Sequence, residues 1–200
     1  MALGRHPMVD PSRQMMQPKS GVPRSAFSTR DFHKTTFGIG NLVPFFWEEV
    51  LPGDSMRVHM SALIRLANPI TPVMDNLYFQ TFFFFVPNRL IWSHWEQFIA
   101  GPQDSSDTTT YLVPQIPVVN ADTAPGSLAD YLGLTVNGSA NSIDVQALPF
   151  RAYAMIWNEW FRSQQLQAKV AVPTGDGPDS MSSYGVYTVS KRHDYFTSAL

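Results

Sequence analysis

Four consecutive phenylalanines, Phe82 to Phe85, stand in mid-chain between the polar pair Gln80-Thr81 and a Pro87-Asn88-Arg89 stop. Neighbouring side chains on a strand point to opposite faces. Over Leu77 to Val86, Leu77, Phe79, Phe83 and Phe85 therefore share one face, and Tyr78, Phe82, Phe84 and Val86 the other. A strand apolar on both faces belongs between two layers, and burying one phenylalanine contributes about 1.5–3 kcal/mol. Left bare, it is a template for aggregation. The run is far below the roughly 18 apolar residues of a membrane span, and the N-terminus has no apolar signal core. The expectation is a soluble, non-secreted chain without membrane insertion, whose Phe82, Phe83, Phe84 and Phe85 form a buried structural strand.

The preceding segment has the cleanest period in the chain. Met56, Val58, Met60, Ala62, Ile64 and Leu66 alternate with Arg57, His59, Ser61, Leu63 and Arg65, which predicts a long strand with one wet or interfacial face. Pro69 and Pro72 end it, and Leu51-Pro52-Gly53-Asp54 precedes it as a turn. Residues 41–51 are predicted extended, with Gly38-Ile39-Gly40 as the bend leading in. Helices are predicted over Arg89 to Ala100, with Trp92, Trp95 and Ile99 on one stripe and Gly101 as the stop, and over Leu128 to Leu132, capped by Ser127 with Asp130 in the capping-box position. The longest helical pattern lies within Asp144 to Gln167. Pro149 suits its first turn, and Phe150, Tyr153, Ala154, Trp157, Trp160, Phe161 and Gln164 follow helical spacing. Residues 102–126 and 173–185 read as loops, and Asn137 to Asn141 as a turn. Two long strands, a weaker third and three helices do not close a sheet.

Charged residues make up 15% of the chain, against roughly 25% in an ordinary domain, so less surface is built to face water. That favours an obligate assembly. No cysteine is present, which excludes disulfides, zinc-thiolate sites and cysteine nucleophiles. The net charge of −2 conceals an asymmetry. Residues 1–40 carry Arg5, Arg13, Lys19, Arg24, Arg30 and Lys34 against Asp10 and Asp31, while the remaining 160 residues carry eight basic and 14 acidic ones. With Pro7, Pro11, Pro18 and Pro23 and no apolar period, this stretch is a basic extended arm. It is either a disordered tail or a segment lying along a polyanion or a neighbouring subunit.

Catalytic chemistry has little to stand on. His6, His33, His59, His94 and His193 form no metal-binding spacing, and His193-Asp194 has no nucleophile elbow to serve. Glu48 and Glu49 are strand neighbours that point apart, so they cannot flank one bond. Asp104, Asp107 and Asp122 lack an EF-hand spacing and read as solvated loop acids. Asn137-Gly138-Ser139 is a glycosylation sequon only in a secreted chain. The chain is expected to be no enzyme and to hold no cofactor and no metal.

Several blocks, in order, carry a resemblance. They are Phe32-His33-Lys34-Thr35-Thr36-Phe37, Glu49-Val50-Leu51-Pro52-Gly53-Asp54, Met74-Asp75-Asn76, Thr81 through Leu90, Leu148-Pro149-Phe150-Arg151-Ala152-Tyr153, Ile156-Trp157-Asn158-Glu159-Trp160-Phe161-Arg162 and Asp194 through Leu200. From about residue 20 to residue 200 the chain resembles the major capsid proteins of the Microviridae, small single-stranded DNA phages, and their gokushovirus branch in particular. The resemblance implies a mainly β fold, a viral jelly-roll β-sandwich with helix-containing loop insertions. It implies family members more than twice this long, so that only an N-terminal portion of the jelly roll is present. Residues 1–40 would then be the basic arm and 41–200 the start of the capsid domain, with insertions over about 88–185. The implied function is self-assembly into an icosahedral shell enclosing a circular single-stranded DNA genome, in a virion assembled in the bacterial host cytoplasm. Implied partners are copies of the same chain, packaged DNA, other virion proteins, and a host surface receptor touched by parts not identifiable here. The six basic arm residues would contact DNA or a neighbouring subunit. A nucleic-acid-binding module acting through the arm is the alternative from another class. A carbohydrate-binding or hydrolytic β-sandwich would need clustered carboxylates beside exposed aromatics, and none is visible.

Overall fold

The computed structural model describes residues 21, 23–135, 142–191 and 195. The predicted turn at Asn137 to Asn141 and the His193-Asp194 pair lie outside them. The chain divides into two compact units, Met1–Phe32 and His33–Leu200. In the first, the described residues form neither helix nor strand.

In the second unit, the ordered core is built almost wholly from residues 91–184. Its centre is α4, Leu148–Ile156, with Pro149 in the first turn, where a missing N–H costs nothing. Phe150, Tyr153 and Ala154 are buried on one side of α4. They pack against Ile116 and Val118 of β1 (Gln115–Val118), Leu128 and Ala129 of α3 (Leu128–Tyr131), and Tyr184. A smaller cluster joins Ile91 of α1 (Asn88–Ile91), Trp92 and Leu148. β1 pairs antiparallel with β2, Ile143–Gln146, in the register Ile116 to Val145 and Val118 to Ile143. The inward side chains of β1 are Ile116 and Val118, while Gln115 and Pro117 face out. Pro117 is tolerated because a two-stranded ribbon has a free edge on every strand.

Three local expectations hold. Asp54 N–H donates to Leu51 O at 3.1 Å and Gly53 takes φ 89°, the left-handed conformation that the turn requires. Gly101, φ 88°, ends α2 (Trp95–Ala100) with its N–H on Gln97 O. Ser127 Oγ accepts from Asp130 N–H at 3.2 Å and caps α3. The Asp130 carboxylate accepts from Gly126 N–H rather than from Ser127 N–H, so the reciprocal half of the capping box is not formed.

The structure differs from the expectations in four places. First, the expected jelly roll is not formed among the described residues. Their one sheet has two strands, and residues 56–66 and 77–86 join none. A strand needs a neighbour for its N–H and C=O groups, and these segments have none here. Among the described residues Asn41 makes the single isolated bridge, to Thr188.

Second, the helix expected over Arg89 to Ala100 breaks at Trp92, which is extended (φ −146°, ψ 116°). The break drops the indole into the core, where Nε1–H donates to Asp176 at 2.7 Å. Ile99 consequently faces solvent rather than sharing a buried stripe with Trp92.

Third, residues 144–146, the start of the expected helical stretch, belong to β2, and the 102–126 loop contains β1. Burial of Ile116 and Val118 outweighs the loop-like composition around them. Fourth, the long helical pattern ends in a π-helical turn, Trp157–Phe161. The wider turn keeps Trp157 and Phe161 buried and swings Trp160 outward, to 71% exposure. Gln164 falls beyond the helix and is exposed.

Candidate interaction surface

The two faces of the phenylalanine run have different surroundings. On the even face, the Phe82 ring lies 5.4 Å edge-on from Phe161, and Phe84 lies 5.8 Å from both Phe161 and Trp160. The π turn creates this seat, since it presents Trp160 and Phe161 side by side. On the odd face, Phe83 meets Phe45 at 5.9 Å in an edge contact. Phe85, together with Phe84 and Val86 of the even face, lines an open concavity of about 180 Å³ with Leu90, Met155 and Trp160, so Trp160 borders both faces. Exposures of 49, 56, 37 and 75% for Phe82 to Phe85 rank Phe84 as the most enclosed ring and Phe85 as the barest.

The bareness extends along the chain. All of residues 46–80 are exposed, among them Trp47, Met56, Val58, Met60, Ile64, Leu66, Tyr78 and Phe79. Scattered apolar residues on a surface need no explanation, but here exposed apolar side chains recur along the whole segment between polar ones. Arg57, His59 and Arg65, the intervening positions, are exposed as well.

The core itself is locked by a charged knot. Arg151, fully buried in α4, donates from Nε to Asp179 Oδ2 at 2.8 Å and from Nη2 to Oδ1 at 2.7 Å. Its Nη1 donates to Ile91 O at the end of α1, and the Tyr184 hydroxyl donates to Asp179 Oδ2 at 2.7 Å. Asp179 N–H in turn donates to Gln115 O in β1. Burial pushes the Asp179 carboxyl up, but the Arg151 fork and the Tyr184 hydroxyl outweigh it and hold it below the usual aspartate range. Burial, then the Asp179 hydrogen bond, raises the Tyr184 phenol.

Two further polar anchors radiate from α4 and its extension. The Tyr153 hydroxyl donates to Leu42 O at 2.8 Å and accepts from Tyr187 N–H, and burial raises its pKa. Asn158 clamps Val170 by both ends of its amide, Nδ2–H to the carbonyl and Oδ1 to the N–H.

The sequence-derived chemical candidates do not converge. His59, Glu48 and Glu49 are exposed. Asp104 accepts from Ser106 N–H, Asp107 from Thr109 N–H and the Tyr111 hydroxyl, and Asp122 from Val119 N–H. Each acid therefore serves its own turn. These hydrogen bonds lower the Asp107 pKa to about 2. Among the described residues no three His, Asp or Glu side chains gather at metal-binding distance, and no helix is long and apolar enough to cross a membrane. Of the arm cations, Arg5, Arg13 and Lys19 lie outside the described residues, while Arg24, Arg30 and Lys34 are exposed. Sequence reasoning missed Arg151 and Asp179. Arg151 was discoverable as a charge inside the apolar stripe Phe150, Tyr153, Ala154, whereas nothing in the Gly175-Asp176-Gly177-Pro178-Asp179 loop distinguished its second acid from its first.

Comparison with known proteins adds the remaining finding. The profile of the family described as "Capsid protein (F protein)" matches residues 16–200. The chain is 42% identical over 183 residues to "Capsid protein VP1" of Bdellovibrio phage phiMH2K, covering 92% of this chain and 34% of that protein. It is 39% identical over 222 residues to "Capsid protein VP1" of Chlamydia phage 1, covering 100% of this chain and 37% of that protein. With "Capsid protein VP1" of Spiroplasma virus 4 the identity is 35% over 196 residues, covering 90% and 34%. The chain thus spans 34–37% of the length of these relatives.

Proposed function

The chain belongs to the Capsid protein (F protein) family, and from that premise we propose that it is part of a structural major capsid protein that self-assembles into an icosahedral shell around a circular single-stranded DNA genome. Family membership over residues 16–200 carries the reading. The low charge content and the long apolar surface of residues 46–85 support it, because both suit a chain that works in an assembly. The function is structural and needs no catalytic group.

In this reading the fold is a jelly roll with helix-containing insertions. Residues 56–66 and 77–86 are two of its strands, paired by polypeptide outside these 200 residues. The compact module around α4 is the insertion, and its π turn covers the even face of the phenylalanine strand. The odd face, Phe83 and Phe85, meets the remaining layer. Other virion proteins and a host receptor are further partners, and the virion, assembled in the bacterial cytoplasm, is the site of action. Electron microscopy of the intact protein is expected to show closed shells of uniform size. Monomers or amorphous aggregates in its place would overturn the reading.

The basic arm lies on the inner face, with Arg5, Arg13, Lys19, Arg24, Arg30 and Lys34 against DNA phosphates or a neighbouring subunit. Its excess of positive charge over a body with excess negative charge supports both placements. Filter binding separates them. Replacing Arg5, Arg13, Lys19 and Arg24 by Gln is expected to flatten the log–log salt dependence of single-stranded DNA binding by about 3. An unchanged slope assigns the arm to the neighbouring subunit.

A further inference from the structure

The segment 173–180 is fastened to the rest of the fold by two carboxylates three residues apart, one outside and one inside. The inner one is Asp179, whose side chain is 2% exposed in the Arg151 knot. The outer one is Asp176, 42% exposed, which faces the turn between α1 and α2. Asp176 Oδ1 accepts from Trp92 Nε1–H at 2.7 Å, and His94 Nδ1 lies 2.8 and 3.0 Å from its two oxygens. Beside these bonds, Ser93 donates its N–H and its hydroxyl to Thr174 O at 2.8 and 2.9 Å. The 101–114 loop closes over the same place. Tyr111 lies 5.1 Å from the His94 ring, and its hydroxyl is held by Asp107 at 2.6 Å.

We propose that the Trp92–His94 turn and the Thr174–Asp176 segment form an acid-labile clasp, which opens while the Arg151–Asp179 knot behind it stays shut. The groups facing His94 are Asp176 from one loop and Asp107 with Tyr111 from the other, and Arg151 adds a more distant positive charge near Asp176. With the Asp176 carboxyl ionised, both of its oxygens can only accept, so the His94 Nδ1 beside them is the donor. The Trp92 indole, and after it His94, holds the Asp176 carboxyl below its ordinary value. A depressed carboxylate contributes stability above the ordinary aspartate range, about pH 4, and loses it as pH falls through the depressed value. At Asp176 a protonated carboxyl can still accept from the Trp92 indole, and the exposed side that faced His94 is open to water. At Asp179 protonation would strand a buried arginine, so the inner fastening resists the same change.

Hydrogen exchange of the intact protein between about pH 6 and pH 3, expressed as protection factors, tests this. Protection across residues 92–99 is expected to fall about fivefold in acid, the scale of an exposed charged cluster, while residues 147–156 keep theirs. Asp176→Asn, which removes the titration, is expected to flatten the pH response of 92–99. Asp176→Ala is expected to hold that segment at the acid level at every pH. Simultaneous loss in both segments, an unaltered pH response in Asp176→Asn, or full neutral protection in Asp176→Ala would each overturn the proposal.

Discussion

Arg151→Ala is expected to lower the stability of the α4 module by about 3–5 kcal/mol, read from the urea midpoint of the intact protein or from exchange of residues 147–156. Truncation removes one half of a fully desolvated pair. It leaves Asp179 in the core with only the Tyr184 hydroxyl as a side-chain donor, and it frees Ile91 O. Most of the cost is that stranded carboxylate, and the pair itself contributes much less. The double replacement Arg151→Met, Asp179→Leu is therefore expected to cost less than Arg151→Ala alone. Were the double variant the less stable of the two, the knot would owe its strength to net attraction. A loss below about 1 kcal/mol in Arg151→Ala would show that it is not what joins α1, α4, β1 and the 179–184 segment.

Phe84→Asp and Phe83→Asp are both expected to abolish soluble shells, by different routes. Phe84 is the most enclosed of the four rings, seated on Trp160 and Phe161. A carboxylate there forfeits about 2 kcal/mol of apolar burial and places a charge against two rings. The α4 module itself is expected to lose exchange protection. Phe83 touches Phe45 and is 56% exposed, so Phe83→Asp is expected to leave the module folded and to cut the yield of shells at least about tenfold. Sedimentation of assembled particles, paired with exchange of residues 147–156, separates the two. Normal shell yield in Phe83→Asp would mean that the odd face meets nothing, and the two-layer reading of this strand would fail.

Legibility in the sequence divided by the range of the interaction. The Pro52-Gly53 turn, the Ser127 cap, the Gly101 stop and the Pro149 helix start were all readable, because each depends on a dihedral preference or a bond spanning four residues. The break at Trp92 was not. Helical propensity over Arg89 to Ala100 is outweighed there by a buried indole and by Asp176, 84 residues away in sequence. The outward turn of Trp160 had the same kind of cause. Helical spacing assumes 3.6 residues per turn, and the wider π turn shifts every later position.

The phenylalanine run shows both sides of that division. By itself the sequence determined that Phe82 to Phe85 present apolar surface in two directions, since alternation follows from backbone stereochemistry alone. The order of its blocks determined the family as well. Only the tertiary structure decided that Phe82 and Phe84 meet Trp160 and Phe161, while Phe83 meets Phe45 and Phe79 meets Phe37. It also decided that Arg151 and Asp179 meet in the core. Those pairings depend on where a helix ends and how a loop returns. Both are set by the balance of burial and hydrogen bonding over the whole chain, which no local pattern encodes.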